Sequence, residues 1–121
     1  MSFAFTAALR TVSLSAVVFA LPLFATPCQA ADPDLGNTST VMQTGYANSA
    51  DLAQDGKNNR VDLAQHGDGN FAVFVQTGSG NSITGKTSGN GNTANVGQQG
   101  FNHVAIYTQS GSGNTLIIRQ R

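Results

Sequence analysis

Glutamine recurs at every eleventh position through most of the chain, and Thr87 stands at the one position of that series where it is missing. A glycine follows each of these positions two residues later, and asparagine stands three residues beyond the glycine except at His103. The unit reads Gln-x-Gly-x-x-Asn-x-apolar-x-apolar-x and runs without insertion from Asn37 to Arg121. A register kept this long indicates that every unit adopts one conformation and stacks on its neighbours.

Four sets of positions define the repeat, and each set has its own chemistry. The glutamine row comprises Gln43, Gln54, Gln65, Gln76, Gln98, Gln109 and Gln120. The asparagine row comprises Asn37, Asn48, Asn59, Asn70, Asn81, Asn92 and Asn114. The turn glycines are Gly45, Gly56, Gly67, Gly78, Gly89, Gly100 and Gly111. The predicted apolar core comprises Ala50, Leu52, Val61, Leu63, Ala72, Phe74, Ile83, Ala94, Val96, Ala105, Tyr107, Leu116 and Ile118, with Gly85 as the misfit.

The spacing inside the unit is that of a β-strand. Asparagine, the two apolar residues and the next glutamine lie at every second position, which puts all four on one face of an extended chain. The remaining residues contain the glycine and form a tight reversal. The spacing predicts strands at about 37–43, 48–54, 59–65, 70–76, 81–87, 92–98, 103–109 and 114–120.

Identical spacing favours an all-β solenoid, although an eight-strand meander has the same strands. Two units make one strand–turn–strand–turn rung of 22 residues, so the repeat region contains about four rungs. Rungs stacked in parallel are about 4.8 Å apart, as in a cross-β structure. A buried amide is costly unless it is hydrogen-bonded, and stacking lets each Asn or Gln bond its equivalents above and below.

The first part of the chain has the features of a secretory signal peptide. Arg10 gives a basic start, an apolar stretch runs from Val12 to Ala25, and Ala30 offers a cleavage point. Lipidation at Cys28 is the alternative. We therefore predict a signal peptide at 1–30, a short lead at 31–36, and a repeat domain at 37–121. The resulting chain has no cysteine, is secreted, and has no segment for stable membrane insertion.

Composition and residue placement argue against several classes of function. The formal net charge is zero, so charge gives no reason to expect nucleic acid as a partner. His66 lies in a turn and His103 replaces a repeat asparagine, and no cysteine or paired carboxylate joins them. A catalytic site cannot be assembled from repeated Gln and Asn. We predict no enzyme activity, no catalytic residue, no metal site and no cofactor.

Self-association is the function that the repeat itself suggests. No capping segment is evident at either end of the repeats, and regular strand edges without caps are templates for another chain. Residues 71–75, 104–108 and 116–118 are apolar on both faces and would favour association, whereas charged strands slow it. The alternative is that these outward residues simply vary on solvated faces.

The repeat resembles that of the curlin family, the subunits of bacterial curli fibres. The resemblance rests on the segments that begin at Gln43, Gln65 and Thr87, and it extends over the whole predicted repeat domain. It implies a fibre homopolymer at the bacterial cell surface, export through an outer-membrane pore, association with a second curlin subunit, and roles in adhesion and biofilm matrix. The lead is shorter than in many members of the family, and four rungs compare with five in its best-known members.

Some alternatives stay open at this stage. The basic end of the last unit resembles nucleator-type curlins, while the regular Gln109, Gly111 and Asn114 favour a fibre-forming subunit. A surface adhesin that does not polymerise, or an ice-binding solenoid, would also use a short β repeat. A flat ice-binding face is disfavoured because only Thr38–Thr40 has the Thr-x-Thr form.

Overall fold

The computed structural model describes residues 12–17, 28–32 and 36–121, with side chains described from 36 onwards. These residues form strands and tight turns and contain no helix. The strands are β1 (Val12–Val17), β2 (Cys28–Asp32), β3 (Asn37–Thr44), β4 (Ser49–Lys57), β5 (Arg60–His66), β6 (Phe71–Ser79), β7 (Ser82–Asn90), β8 (Thr93–Phe101), β9 (Val104–Ser112) and β10 (Thr115–Gln120).

Alternate strands of the repeat belong to two different sheets. We call the sheet with strand order β1-β4-β6-β8-β10 sheet A and the sheet with order β2-β3-β5-β7-β9 sheet B. Among the eight repeat strands, β3 to β10, each strand from β3 to β8 pairs in parallel with the strand two further along the chain. Residues 22 apart are therefore neighbours, as Gln54 and Gln76 are in β4 and β6. The predicted β-solenoid of about four rungs is confirmed.

Most strands continue past the glutamine at which the sequence predicted their end. β4, for example, begins at Ser49 rather than at 48 and runs to Lys57 rather than to 54. The reason is that Gly56 and Lys57 remain paired with Gly78 and Ser79 of the next rung. The turns are thus part of the parallel stack as well as a reversal between its sheets.

The core lies between the two sheets and is filled from both. Every predicted core position from Ala50 to Tyr107 is buried, whereas Leu116 and Ile118 in the last strand are only partly buried and pack against the core. Val41 and Ser39 are also buried, although the sequence analysis did not assign them to the core. They hold the two apolar positions of the unit that starts with Asn37, so their phase would have identified them.

Two strands that the repeat does not predict lie against the first rung. β1 pairs antiparallel with β4, and β2 pairs antiparallel with β3, where Asp32 faces Asn37. In the full chain, the N-terminal edges of both sheets are thus covered by residues outside the repeat. The signal peptide predicted at 1–30 lies largely outside the described residues, and its cleavage stays a prediction.

Candidate functional site

The asparagine rows are saturated with hydrogen bonds between rungs. Asn70 shows the pattern of one of the two rows: its Nδ2 donates to the carbonyl oxygens of Gly89 (2.8 Å) and His66 (3.4 Å), and to Oδ1 of Asn48 (3.0 Å). Its Oδ1 accepts both the backbone N–H and the Nδ2 of Asn92. A fully buried polar side chain is tolerated here because every donor and acceptor has a partner.

The glutamine rows link rungs within a sheet and also link the two sheets. In sheet A, Nε2 of Gln54 donates to Oε1 of Gln76 (2.9 Å), and Gln76 donates to Gln98 in the same way. The second hydrogen of Gln76 Nε2 bonds the carbonyl oxygen of Arg60 in sheet B (3.0 Å). The ladder has a direction, since each amide donates toward the C-terminal end of the stack.

Sheet B contains an interruption that the sequence marks at two positions. Thr87 is too short to continue the glutamine ladder, so Nε2 of Gln65 and Oε1 of Gln109 are buried without partners. Gly85 lies in the adjacent column, where the ring of Tyr107 leans over it. The Tyr107 and Thr87 hydroxyls are near each other but do not meet hydrogen-bond geometry. Burial raises the pKa of Tyr107, and the neighbouring Thr87 hydroxyl opposes that shift.

The turns explain why glycine follows each glutamine. Gly78 has φ +116°, and a Cβ there would overlap the carbonyl oxygen of Gly100 in the next rung. Stacking at the strand spacing therefore excludes any side chain at this position. A second left-handed position lies two residues later, occupied by glycine in four units and by Ala47 (φ 54°), Asn58 (φ 55°) and Asn102 (φ 57°) in the others.

Further hydrogen bonds run up the outside of one set of turns. Oδ1 of Asp68 accepts the backbone N–H of Tyr46 (2.9 Å), and Oδ1 of Asn90 accepts that of Asp68 (3.0 Å). The repeat pattern alone did not reveal this role. Its signal is Asp or Asn at the residue after the turn glycine, at a spacing of 22 residues.

The C-terminal edge of the stack is formed by β9 and β10, each of which is the last strand of its sheet among the described residues. Leu116, Ile118 and Gln120 are therefore only partly buried, in contrast to their equivalents one rung earlier. Nε2 of Gln120 donates to the carbonyl oxygen of Val104 and Nε2 of Gln109 to that of Thr93, both at 3.1 Å. Each amide nitrogen carries a second hydrogen, for which the described residues offer no acceptor.

The N-terminal edge of the repeat stack is formed by β3 and β4, which β2 and β1 cover in the full chain, and it carries the complementary groups. Gln43 and Gln54 begin the two glutamine ladders, and both are buried. Their Nε2 atoms donate to Gln65 (2.7 Å) and Gln76 (2.9 Å), but neither Oε1 atom has a donor. A buried acceptor left without a donor costs about 1–3 kcal/mol. The two edges are thus chemically matched, with free acceptors on one and free donors on the other.

The two histidines hold structural positions. His66 ends β5 and is exposed. The backbone N–H of His103 bonds Oδ1 of Asn81 (3.0 Å), as the repeat asparagines do, and its Nε2 lies 3.1 Å from the carbonyl oxygen of Gln99. His103 therefore continues the asparagine row but has no carboxamide oxygen to offer to a further rung.

A cluster of metal ligands and a membrane-spanning helix are both absent from the described part of the chain. Among the described residues, no three His, Cys, Asp or Glu side chains lie together in a way that could hold a metal ion. No helix there is long and apolar enough to cross a membrane. One ion pair, between Arg60 and Asp62 (2.6 Å), lies on the outer face of sheet B, and its hydrogen bond raises the pKa of Arg60.

The geometry defines a class of protein: a two-sheet parallel β-solenoid whose interior amides form ladders that run to both edges. The curlin associated repeat matches this chain three times, at residues 36–67, 56–84 and 89–121. The chain belongs to the curlin family, whose members are structural fibre subunits and not enzymes. Neither the curated proteins nor the solved structures gave a match.

Proposed function

We propose that this chain is the subunit of an extracellular fibre in which copies stack head to tail, rung upon rung. In such a fibre, β9 and β10 of one copy pair with β3 and β4 of the next, so both sheets continue through the junction. The family and the solenoid support a structural subunit of the curli type. Adhesion at a bacterial cell surface and a place in biofilm matrix follow as the roles of such a fibre.

The observation that carries this proposal is the match between the two edges. Oε1 of Gln43 and Gln54 are buried acceptors without donors, while Gln109 and Gln120 have spare amide hydrogens at the opposite edge. Continuing each ladder by one step of 22 residues brings Gln109 to Gln43 and Gln120 to Gln54. Addition of a subunit therefore gives two buried acceptors their hydrogen bonds and also covers Leu116 and Ile118. Both the new hydrogen bonds and the buried apolar surface favour association.

Removal of the leader is the step that would free the accepting edge. β1 and β2 pair with β4 and β3 in the full chain, and subunit addition needs the same edges. Cleavage after Ala30 would remove all of β1 and most of β2. Export through a dedicated outer-membrane pore, as the family implies, would then deliver a chain whose two edges are both available.

The direct test is assembly of the exported chain. The full-length gene is expressed in a secreting bacterial host, and the processed protein is recovered, dissolved in denaturant and diluted to micromolar concentration. We expect β-sheet signal and dye binding to rise over hours, sheared fibres to remove the lag, and a 4.8 Å meridional reflection. A chain that stays monomeric and soluble under these conditions would overturn the proposal.

The same sample separates the two alternatives. A non-polymerising adhesin would remain monomeric while still binding surfaces, and an ice-binding protein would inhibit ice recrystallisation. The structure gives no specific support to the second. One outward column of sheet B runs Thr40, Asp62, Thr84, Ile106, and such a mixture does not make a regular hydroxyl ladder.

A further inference from the structure

We propose that Arg121 of one copy pairs with Asp55 of the next, and that this ion pair, assisted by Arg119, fixes the polarity and register of the junction. The inference rests on the proposed function, because it concerns the contact between stacked copies. The charged groups of this pair would favour head-to-tail addition in one register over the other ways in which the same edges could meet.

The register follows from the pairing inside one copy. Asp55 faces Thr77, and Thr77 faces Gln99, at steps of 22 residues up the outer face of sheet A. Gln98 faces Gln120, so the next residue, Arg121, continues this column beside Gln99. One further step leads into the next copy, where the position is that of Asp55.

The two charges cannot satisfy each other within one copy. The column places them three rungs apart, which is about 14 Å at the spacing of parallel strands. That separation exceeds the screening length of about 10 Å at 0.1 M salt. The intervening Thr77 and Gln99 are uncharged. Across a junction, in contrast, the two side chains would start from neighbouring strands about 4.8 Å apart.

Neither group is engaged elsewhere in the described part of the chain. Arg121 is exposed and has no ion pair or side-chain hydrogen bond there. The carboxylate of Asp55 likewise has none, although its backbone carbonyl oxygen accepts Nδ2 of Asn59 (3.2 Å). An ion pair formed at the junction would therefore replace no existing contact of either side chain.

Arg119 lies where it can reinforce this pair. It faces Gly97 in β8, and the missing side chain at Gly97 leaves a shallow groove of about 300 Å³ along the outer face of sheet A. Arg119 and Arg121 both line that groove. In the next copy Arg119 would oppose Ala53 and lie diagonal to Asp55, a distance that a long side chain can span.

The charges also discriminate against wrong arrangements of the edges. Two C-terminal edges placed together would offer Arg119 and Arg121 no acidic side chain, because neither β9 nor β10 contains one. Heterologous stacking gives these arginines an acidic partner in the next copy, and it generates an open filament rather than a closed dimer. Sheet B contributes no charged pair to the junction, because Val104 and Ile106 would meet the uncharged Thr38 and Thr40.

The experiment uses charge reversal in the exported full-length chain. Asp55→Arg and Arg121→Asp are made singly and together, and each protein is added to its own sheared fibres at 50 mM salt. We expect each single reversal to slow elongation and raise the critical concentration about 3- to 10-fold. The double variant, which restores an opposite pair, should return to within about twofold of the original chain.

A matched control and a salt series complete the design. The control exchanges Arg60 and Asp62, an ion pair within one strand and away from the junction, and should elongate like the original chain. Differences among the junction variants should shrink toward zero at about 1 M salt.

Single reversals that elongate at the original rate would overturn the inference, as would a double variant no better than either single one. If the original chain itself forms no fibre, the proposed function fails and the inference with it. If the original chain forms fibres and the single variants elongate as fast as it does, the inference fails while the proposed function stands.

Discussion

The phenol ring of Tyr107 occupies the space that a side chain at Gly85 would fill, one rung earlier in the same column of the core. A Cβ built on Gly85 would lie 2.6 Å from Cε1 and 2.7 Å from the hydroxyl oxygen of Tyr107. The ring also meets Phe74 edge to face, with centroids 6.0 Å apart. The misfit glycine of the repeat is thus the complement of its largest core residue.

This relationship predicts that a larger side chain at position 85 destabilises the fold, and that a smaller one at position 107 restores its stability. Gly85→Val should lower the free energy of unfolding by about 1–3 kcal/mol, because it overpacks the column beneath Tyr107. Adding Tyr107→Leu should recover most of that loss. Guanidinium unfolding midpoints at a concentration below assembly are the measurement. Gly97→Val, at an outward position with no atom within 4 Å of its Cβ, is the control and should cost little.

A second prediction concerns pH. Burial raises the pKa of Tyr107 in the folded chain, so the unfolded chain loses this proton first as pH rises. The contribution of Tyr107 to the free energy of unfolding is therefore constant below about pH 10, and stability falls above that pH. Tyr107→Phe should reduce that alkaline loss and should cost nothing near neutrality, because the hydroxyl has no partner.

The turn glycines should differ sharply in their tolerance. Gly78→Ala should prevent close stacking of the second and third rungs, because its Cβ would overlap the carbonyl oxygen of Gly100 and its φ is +116°. We expect loss of the cooperative unfolding transition or a destabilisation of roughly 3 kcal/mol. Gly113→Asn, where φ is +67° and no atom lies within 4 Å, should change stability by less than about 1 kcal/mol. Equal effects at the two sites would contradict this account of the turns.

The glutamine ladder makes a further prediction. Gln76→Ala removes the acceptor for Gln54, the donor to Gln98 and the bond to Arg60 in the other sheet. A cost of about 3 kcal/mol in the free energy of unfolding is expected, because buried amides lose their partners. Gln99→Ala, at an exposed position of the same strand pair, should cost less than about 0.5 kcal/mol. Similar costs for the two variants would show that the glutamine ladder adds no stability beyond that of an exposed side chain.

The last prediction concerns His103. The backbone N–H of Asn37 in a following copy would meet His103, where the internal rungs offer a carboxamide oxygen. His103→Asn should therefore lower the critical concentration for assembly by about 3- to 10-fold, the value of one hydrogen bond. Asn114→His removes the carboxamide oxygen from the other asparagine row and should raise the critical concentration. Sedimentation of fibres at equilibrium gives both numbers.

The sequence by itself determined the period, the strands and the inward face. Asn70, Ala72, Phe74 and Gln76 alternate along one extended segment, and only strand geometry puts all four on one side. Constant spacing through Thr87 and His103 then favoured stacking of like on like, which predicted the 22-residue rung and the amide ladders. These features are local or strictly periodic, so one chain is enough to reveal them.

Only the tertiary structure decided which departures from the repeat compensate one another. In the sequence, Gly85 is a misfit and Tyr107 an ordinary core residue, and their relationship appears only when their columns are stacked; Gln43 and Gln54 likewise look like ordinary ladder members. Their unpaired oxygens, and the position of Asp55 at one end of a column that ends in Arg121, depend on contacts between residues 22 or more apart. Spacing specifies which residue types recur, whereas packing and hydrogen bonding at the edges depend on the particular atoms that meet there.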